Sequence, residues 1–165
     1  MSRKYLNDKY CVRCGRKTPC PYLKNNYDRY LSKGKIVLDI GCGNGRNSDF
    51  MKANGHKVIS LDMVNDYGKK CILGCDNLPL KNKSVDTILC NYLMMFLNPV
   101  ERTQLIREID RVAKDNCVII LELYPAKDSW TKNEKEMIDL QEHILKHLGW
   151  NKIKYSKGRF IAIKK

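Results

Sequence analysis

Three glycines at every second position, Gly41, Gly43 and Gly45, follow an apolar run in VLDIGCGNGRN (37–47). Glycine loses more chain freedom on folding than any other residue, so three within five positions point to a group that lies against bare main chain. A loop of this kind offers backbone amides at the start of the next helix, an arrangement that also suits phosphate. The spacing argues against that ligand. A dinucleotide fingerprint needs Gly-x-Gly-x-x-Gly, whereas this chain has Gly-x-Gly-x-Gly, and no Gly-Lys-Ser/Thr follows to make a phosphate loop. Asp39, two residues ahead of the first glycine, repels a pyrophosphate and favours a cation. A ligand with an ammonium, a sulfonium and no phosphate fits better.

The second constellation is CVRCGRKTPC, with Cys11, Cys14 and Cys20. Cys-x-x-Cys followed by glycine is the turn that wraps a tetrahedral zinc, with Cys20 as a third ligand and a fourth supplied from Cys75, His56 or a partner. A pair of surface thiols accounts for the same residues equally well. Redox chemistry fits poorly, because no helix start follows the pair to lower its thiol pKa.

The chain has 165 residues, one domain's worth, with 43% hydrophobic and 30% charged residues. No apolar run approaches the roughly 18–20 residues of a membrane span, and no signal-like apolar core follows the first residues, so a cytosolic protein without a membrane partner is expected. Its eight cysteines then read as thiols or metal ligands rather than a disulfide scaffold. The net charge of +13 is uneven: residues 1–35 hold ten Lys/Arg against two acids, residues 146–165 hold seven against none, and the middle is near neutral. Basic ends suit a polyanion such as RNA or DNA; a Lys-rich composition that keeps a small protein soluble explains them as well.

Alternating elements must position these residues. Tyr22, Leu23, Tyr27, Tyr30 and Leu31 have helical spacing. Strands are expected at 35–40, 56–62, 69–75, 85–91 and 117–124, and helices at 46–55, 99–114 and 131–149. Leu105, Ile106, Ile109 and Val112 form one helix face, and Met137, Leu140, Ile144, Leu145 and Leu148 another. Residues 151–165 read as two strands turning around Ser156–Gly158. The pattern predicts a doubly wound α/β domain with a mostly parallel sheet and an antiparallel last strand. In such a sheet the ligand lies at the strands' carboxyl ends, near the switch point, where the glycine loop falls.

Four motifs in order resemble those of class I S-adenosylmethionine-dependent methyltransferases, across about residues 35–124. VLDIGCGNG resembles the glycine motif "vLDiGcGtG". ISLDM (59–63) resembles the second-strand motif, GCDNLPLKNKSVDTILCN resembles "gDaeaLPfpdnsFDvV", and LIREIDRVAKDNCVIILE resembles the helix and strand that follow. The resemblance implies cofactor contacts from Asp39, Gly41, Gly43, Asn44 and Gly45. It assigns the ribose hydroxyls to Asp62 with Met63 beside it, the adenine amino group to Asp76, and the ring to Asn77 and Leu78, with Asn91 closing the set. Two departures stand out. Asp76 comes only 14 positions after Asp62 where the family inserts a helix, and Lys114-Asp115-Asn116 replaces a Lys-Pro-Gly-Gly-like turn, with Asn116 in the left-handed role.

Methyl transfer from a sulfonium asks for alignment and exclusion of water more than for a dedicated base. Substrate-side candidates are Asn91, Tyr92, Glu122 and Tyr124, each of which also serves as an ordinary strand-end residue. NYLM (91–94) differs from the Asp/Asn-Pro-Pro-Tyr/Phe motif of amino-methylating DNA enzymes, and no Pro-Cys supplies a cytosine-C5 nucleophile. The division expected is a basic cap at 1–34, with the cysteine cluster and a tyrosine-faced lid helix, and a cofactor domain at 35–165. The acceptor expected is a nucleic acid or nucleotide-like anion. The alternatives are a small-molecule acceptor, which the short chain favours, or a non-catalytic cofactor-binding chain that activates a partner subunit.

Overall fold

The computed structural model describes residues 17–31, 35–62, 77–123 and 134–165. The described elements run α1 (Pro21–Tyr30), β1 (Ile36–Ile40), α2 (Arg46–Ala53), β2 (Lys57–Leu61), β3 (Val85–Asn91), a 3-10 turn (Met94–Phe96), α3 (Pro99–Val112), β4 (Ala113–Glu122), α4 (Glu134–Leu148), β5 (Asn151–Ser156) and β6 (Arg159–Ile163). The strand expected at 69–75 lies outside the described residues.

The sheet order is β2-β1-β3-β4-β6-β5. β1 pairs in parallel with β2 and β3, and β3 with β4, while β6 runs antiparallel to both β4 and β5. The expected mostly parallel sheet with an antiparallel last strand is therefore present. The chain leaves β1 for β2 on one side and returns to β3 on the other, so the switch point lies between β1 and β3.

The central strands are buried on both faces, and alternate residues divide between two layers. Leu38, Ile40, Ile88, Cys90, Ile119, Leu121, Phe160 and Ala162 pack on one face with the expected stripes of α3 and α4. Val37, Leu89, Val118, Ile120 and Ile161 face the other way, onto Met51 of α2 and Leu23 and Tyr27 of α1. A one-residue slip would exchange the two sets, but both sets are apolar, as a sheet covered on both faces demands.

α1 forms part of this second layer. Tyr22, Leu23 and Tyr27 are buried, and Tyr30 packs against them. The tyrosine face expected to form a lid packs here against the sheet, as an amphipathic helix buries its stripe. α3 begins with a capping box, in which Asn98 accepts from the Val100 and Glu101 amides and Glu101 accepts from the Asn98 amide. Asn116 takes the left-handed conformation (φ 65°) anticipated from its place in the turn.

Candidate functional site

Gly41, Gly43 and Gly45 all have positive φ, at 71°, 51° and 74°. An ordinary L-residue pays for that conformation, which is why the chain uses glycine here. The end of β2 fastens the loop. The Gly41 and Cys42 amides donate to the Leu61 carbonyl at 2.8 and 3.1 Å, and the Gly43 amide donates to Asp62 Oδ2 at 2.7 Å. A methyl group built on Gly41 would meet Leu93 at 3.1 Å, whereas one on Gly43 would point into open space. The loop thus presents a bare surface with a carboxylate beside it. Asn44 Oδ1 accepts from the Arg46 amide at 3.3 Å, within the turn into α2.

Asp39 serves the same loop from below. It is 2% exposed and accepts a 2.6 Å hydrogen bond from Ser48, in the first turn of α2. Ser48 also contacts Ser60 of β2 at 2.7 Å. This chain of hydrogen bonds ties the two strands and the helix that hold the loop.

At the carboxyl ends of β3 and β4, Asn91, Tyr92 and Glu122 meet. Glu122 is 4% exposed. Its Oε1 accepts from Asn91 Nδ2 at 2.8 Å and from the Cys20 thiol, and its Oε2 accepts from the Tyr92 hydroxyl at 3.1 Å. Asn47 of α2 bridges the group, donating to Asn91 Oδ1 at 3.3 Å and accepting from the Cys20 amide at 2.9 Å. Three donors on one buried acceptor make a satisfied polar network. Burial first, and Glu122 second, raise the pKa values of Cys20 and Tyr92, so both keep their protons and act as donors. The same causes, in the same order, push Tyr22 up to about 12. Tyr92 has a φ of 60°, a strained conformation for a bulky residue and one often found at functional sites.

The segment at 78–82 is held from α3. Glu108 Oε2 accepts from the Leu78 amide at 2.7 Å. Arg111 donates to the Leu80 and Leu78 carbonyls at 2.8 and 3.0 Å and to Asn82 Oδ1 at 2.8 Å, while pairing with Glu108 at 2.6 Å. The Leu78 side chain is buried in the core and Asn77 is exposed.

Of the residues marked from sequence, the structure brings Gly41, Gly43, Asn44, Gly45 and Asp62 to one loop, with Asp39 beneath it. Asn91, Tyr92 and Glu122 form an adjoining cluster, joined to α2 through Asn47. Met63, Asp76 and Tyr124 lie outside the described residues, as do Cys11 and Cys14. Of the three cysteines expected to hold zinc, Cys20 alone lies among the described residues. In this structure its buried thiol donates a hydrogen bond to Glu122. Among the described residues no three His, Cys, Asp or Glu side chains are placed to hold a metal.

Sequence reading missed Asn47 and Ser48, polar residues in a helix start that carried no spacing signal, and the positioning pair Glu108 and Arg111. That pair has a signal, the Glu and Arg three positions apart in LIREIDRV.

A family model described as a methyltransferase domain matches residues 38–121. The chain is 32% identical over 111 residues to an uncharacterised protein of Methanocaldococcus jannaschii, covering 59% of this chain and 43% of that one. It is 25% identical to a malonyl-[acyl-carrier protein] O-methyltransferase of Hamiltonella defensa, covering 73% of this chain and 50% of that one. The chain thus spans about half the length of the curated relatives it matches. Its fold resembles that of Burkholderia thailandensis 1,6-didemethyltoxoflavin-N1-methyltransferase, solved with 1,6-didemethyltoxoflavin and S-adenosylhomocysteine, at a TM-score of 0.67, 15% identity and coverage of 99% and 82%. Because the matched span runs from β1 through the glycine loop and the Asn91 strand end almost to Glu122, and makes up half of the chain, this protein belongs to the methyltransferase domain family.

Proposed function

We propose that this chain transfers a methyl group from S-adenosylmethionine to an acceptor that carries an anionic group. One observation carries the reading: a loop of three left-handed glycines, open above Gly43, with the Asp62 carboxylate fixed to its amide. Gly41 to Gly45 would hold the cofactor against the main chain, and Asp62 would accept hydrogen bonds from a ribose.

Held there, S-adenosylmethionine would supply an electrophilic methyl group on a positively charged sulfur, which is a good leaving group. The chain's own residues align and shield. Asn91 and Tyr92 stand at the strand ends next to the loop, held by Glu122. Glu122 already receives three donors and Tyr92 keeps its phenol proton, so neither serves as a strong base. An acceptor amine, acid or thiol would lose its proton to water, and catalysis would rest on proximity and dehydration.

Two acceptor sources fit an anion. The basic ends of the chain favour a nucleic acid. The names of one relative and one structural neighbour, a malonyl-[acyl-carrier protein] O-methyltransferase and a 1,6-didemethyltoxoflavin-N1-methyltransferase, favour an acceptor that is not a nucleic acid. Incubation with labelled cofactor and either RNA, DNA or a metabolite extract separates them. Label in the RNA or DNA fraction supports the first, label in the small-molecule fraction supports the second, and no transfer to any fraction contradicts the activity.

A further inference from the structure

We propose that Tyr22, Lys154 and Arg159 form a subsite for a phosphate-type anion beside the Glu122 cluster, and that it holds the acidic group of the acceptor. The acceptor's part in this rests on the methyl-transfer reading above; the anion site itself rests on geometry.

The Tyr22 hydroxyl is buried and has no hydrogen-bond partner. Nearly all buried polar groups in folded proteins are paired, so an unmet donor at the edge of a candidate site points to a missing acceptor. Two cations stand over its ring: Arg159 Cζ lies 5.2 Å and Lys154 Nζ 5.8 Å from the ring centroid. Both side chains are exposed. Lys154 bonds the neutral Asn26 Oδ1 at 2.7 Å, and among the described residues neither cation is ion-paired. Glu122, the cross-strand partner of Arg159, is buried and turns both oxygens to Cys20, Asn91 and Tyr92, so it forms no ion pair with Arg159. A guanidinium, an ammonium and a phenol offer donors of the kind that bind phosphate oxygens, with the guanidinium able to bind two at once. The surrounding stretch 146–165, with seven Lys/Arg and no acid, raises the local concentration of anions.

The test titrates the full chain with inorganic phosphate, with glycerol 3-phosphate and with a short single-stranded RNA. Wild type is compared with Tyr22→Phe and Arg159→Gln, and the thermal midpoint and S-adenosylmethionine affinity of each are measured alongside. Affinity for at least one probe is expected to fall about tenfold in both variants. Tyr22→Phe should melt no lower than wild type, because it removes an unmet buried hydroxyl. A loss seen only with RNA identifies a phosphodiester chain as the source, and a loss seen with glycerol 3-phosphate identifies a small phosphomonoester; either supports the subsite. Absence of binding by wild type, or full affinity retained by Tyr22→Phe for all three probes, overturns it. Because the cofactor is titrated separately, anion binding through these residues without cofactor binding contradicts methyl transfer and leaves the subsite standing.

Discussion

Asp62 Oδ2 accepts a 2.7 Å hydrogen bond from the amide of Gly43, joining the end of β2 to the middle of the glycine loop. The carboxylate assigned to the ribose by resemblance therefore also sets the shape of the loop. Asp62→Ala should weaken S-adenosylmethionine binding by about 1.5–3 kcal/mol, the range for hydrogen bonds to charged groups. Calorimetric titration reads this directly, and an unchanged dissociation constant would place the ribose elsewhere.

Gly43→Ala separates strain from obstruction. At a φ of 51° the new side chain costs about 1–2 kcal/mol of folding stability, with no clash to add, because the space above is open. If the cofactor lies on that surface, the loss in its affinity should exceed the loss in stability. Denaturation and titration of the same variant compare the two, and equal losses would argue that nothing packs against Gly43.

Glu122→Ala should destabilise the chain by about 3 kcal/mol, because the Cys20, Asn91 and Tyr92 donors lose their common buried acceptor. Urea denaturation checks this. A loss below about 1 kcal/mol would mean that the network relaxes or that water replaces the carboxylate.

His56 gives the stability a pH dependence. It is buried with Nε2 3.0 Å from the Tyr27 hydroxyl, and burial lowers its pKa below the ordinary 6.5. The unfolded chain then binds this proton at a higher pH than the folded one. Stability from His56 is full above pH 6.5 and is lost as pH falls from there toward the lower folded value. Asp86 and Glu108, whose pKa values are also lowered, act in a more acidic window, below their ordinary 3.8 and 4.5. Denaturation midpoints followed below pH 6.5 should fall in wild type and flatten in His56→Gln; an identical slope in both would assign the effect to other groups.

Asn98→Ala removes the side chain that accepts from the Val100 and Glu101 amides at the start of α3, and should cost about 1 kcal/mol. Thermal or chemical denaturation measures it, with no change expected in cofactor affinity, since the cap is made within the first turn of α3 itself.

The strands and helices were legible because their apolar periods are clean. Leu105, Ile106, Ile109 and Val112 read as one stripe and are all buried, and the residues of VDTILCN form β3. The glycine loop was legible because its three left-handed positions admit few other residues. The packing of α1 on the sheet was not legible, since a helical stripe shows that a face is buried but not what it is buried against. The contact of Cys20 with Glu122 was not legible for a related reason. Spacing grouped Cys20 with Cys11 and Cys14, whereas its partner Glu122 is 102 residues away and contact over that distance leaves no local pattern. The buried serine and asparagine links, Ser48 to Asp39 and Asn47 to Asn91, are equally silent in one sequence.

The central claim is that the glycine loop receives a sulfonium donor rather than a pyrophosphate. Parallel calorimetric titrations of the full chain with S-adenosylmethionine, NAD and ATP test it most directly. The account predicts saturable binding of S-adenosylmethionine that weakens in Asp62→Ala, with no competition from NAD or ATP. Binding of NAD or ATP that depends on Asp62, with S-adenosylmethionine ignored, would contradict it.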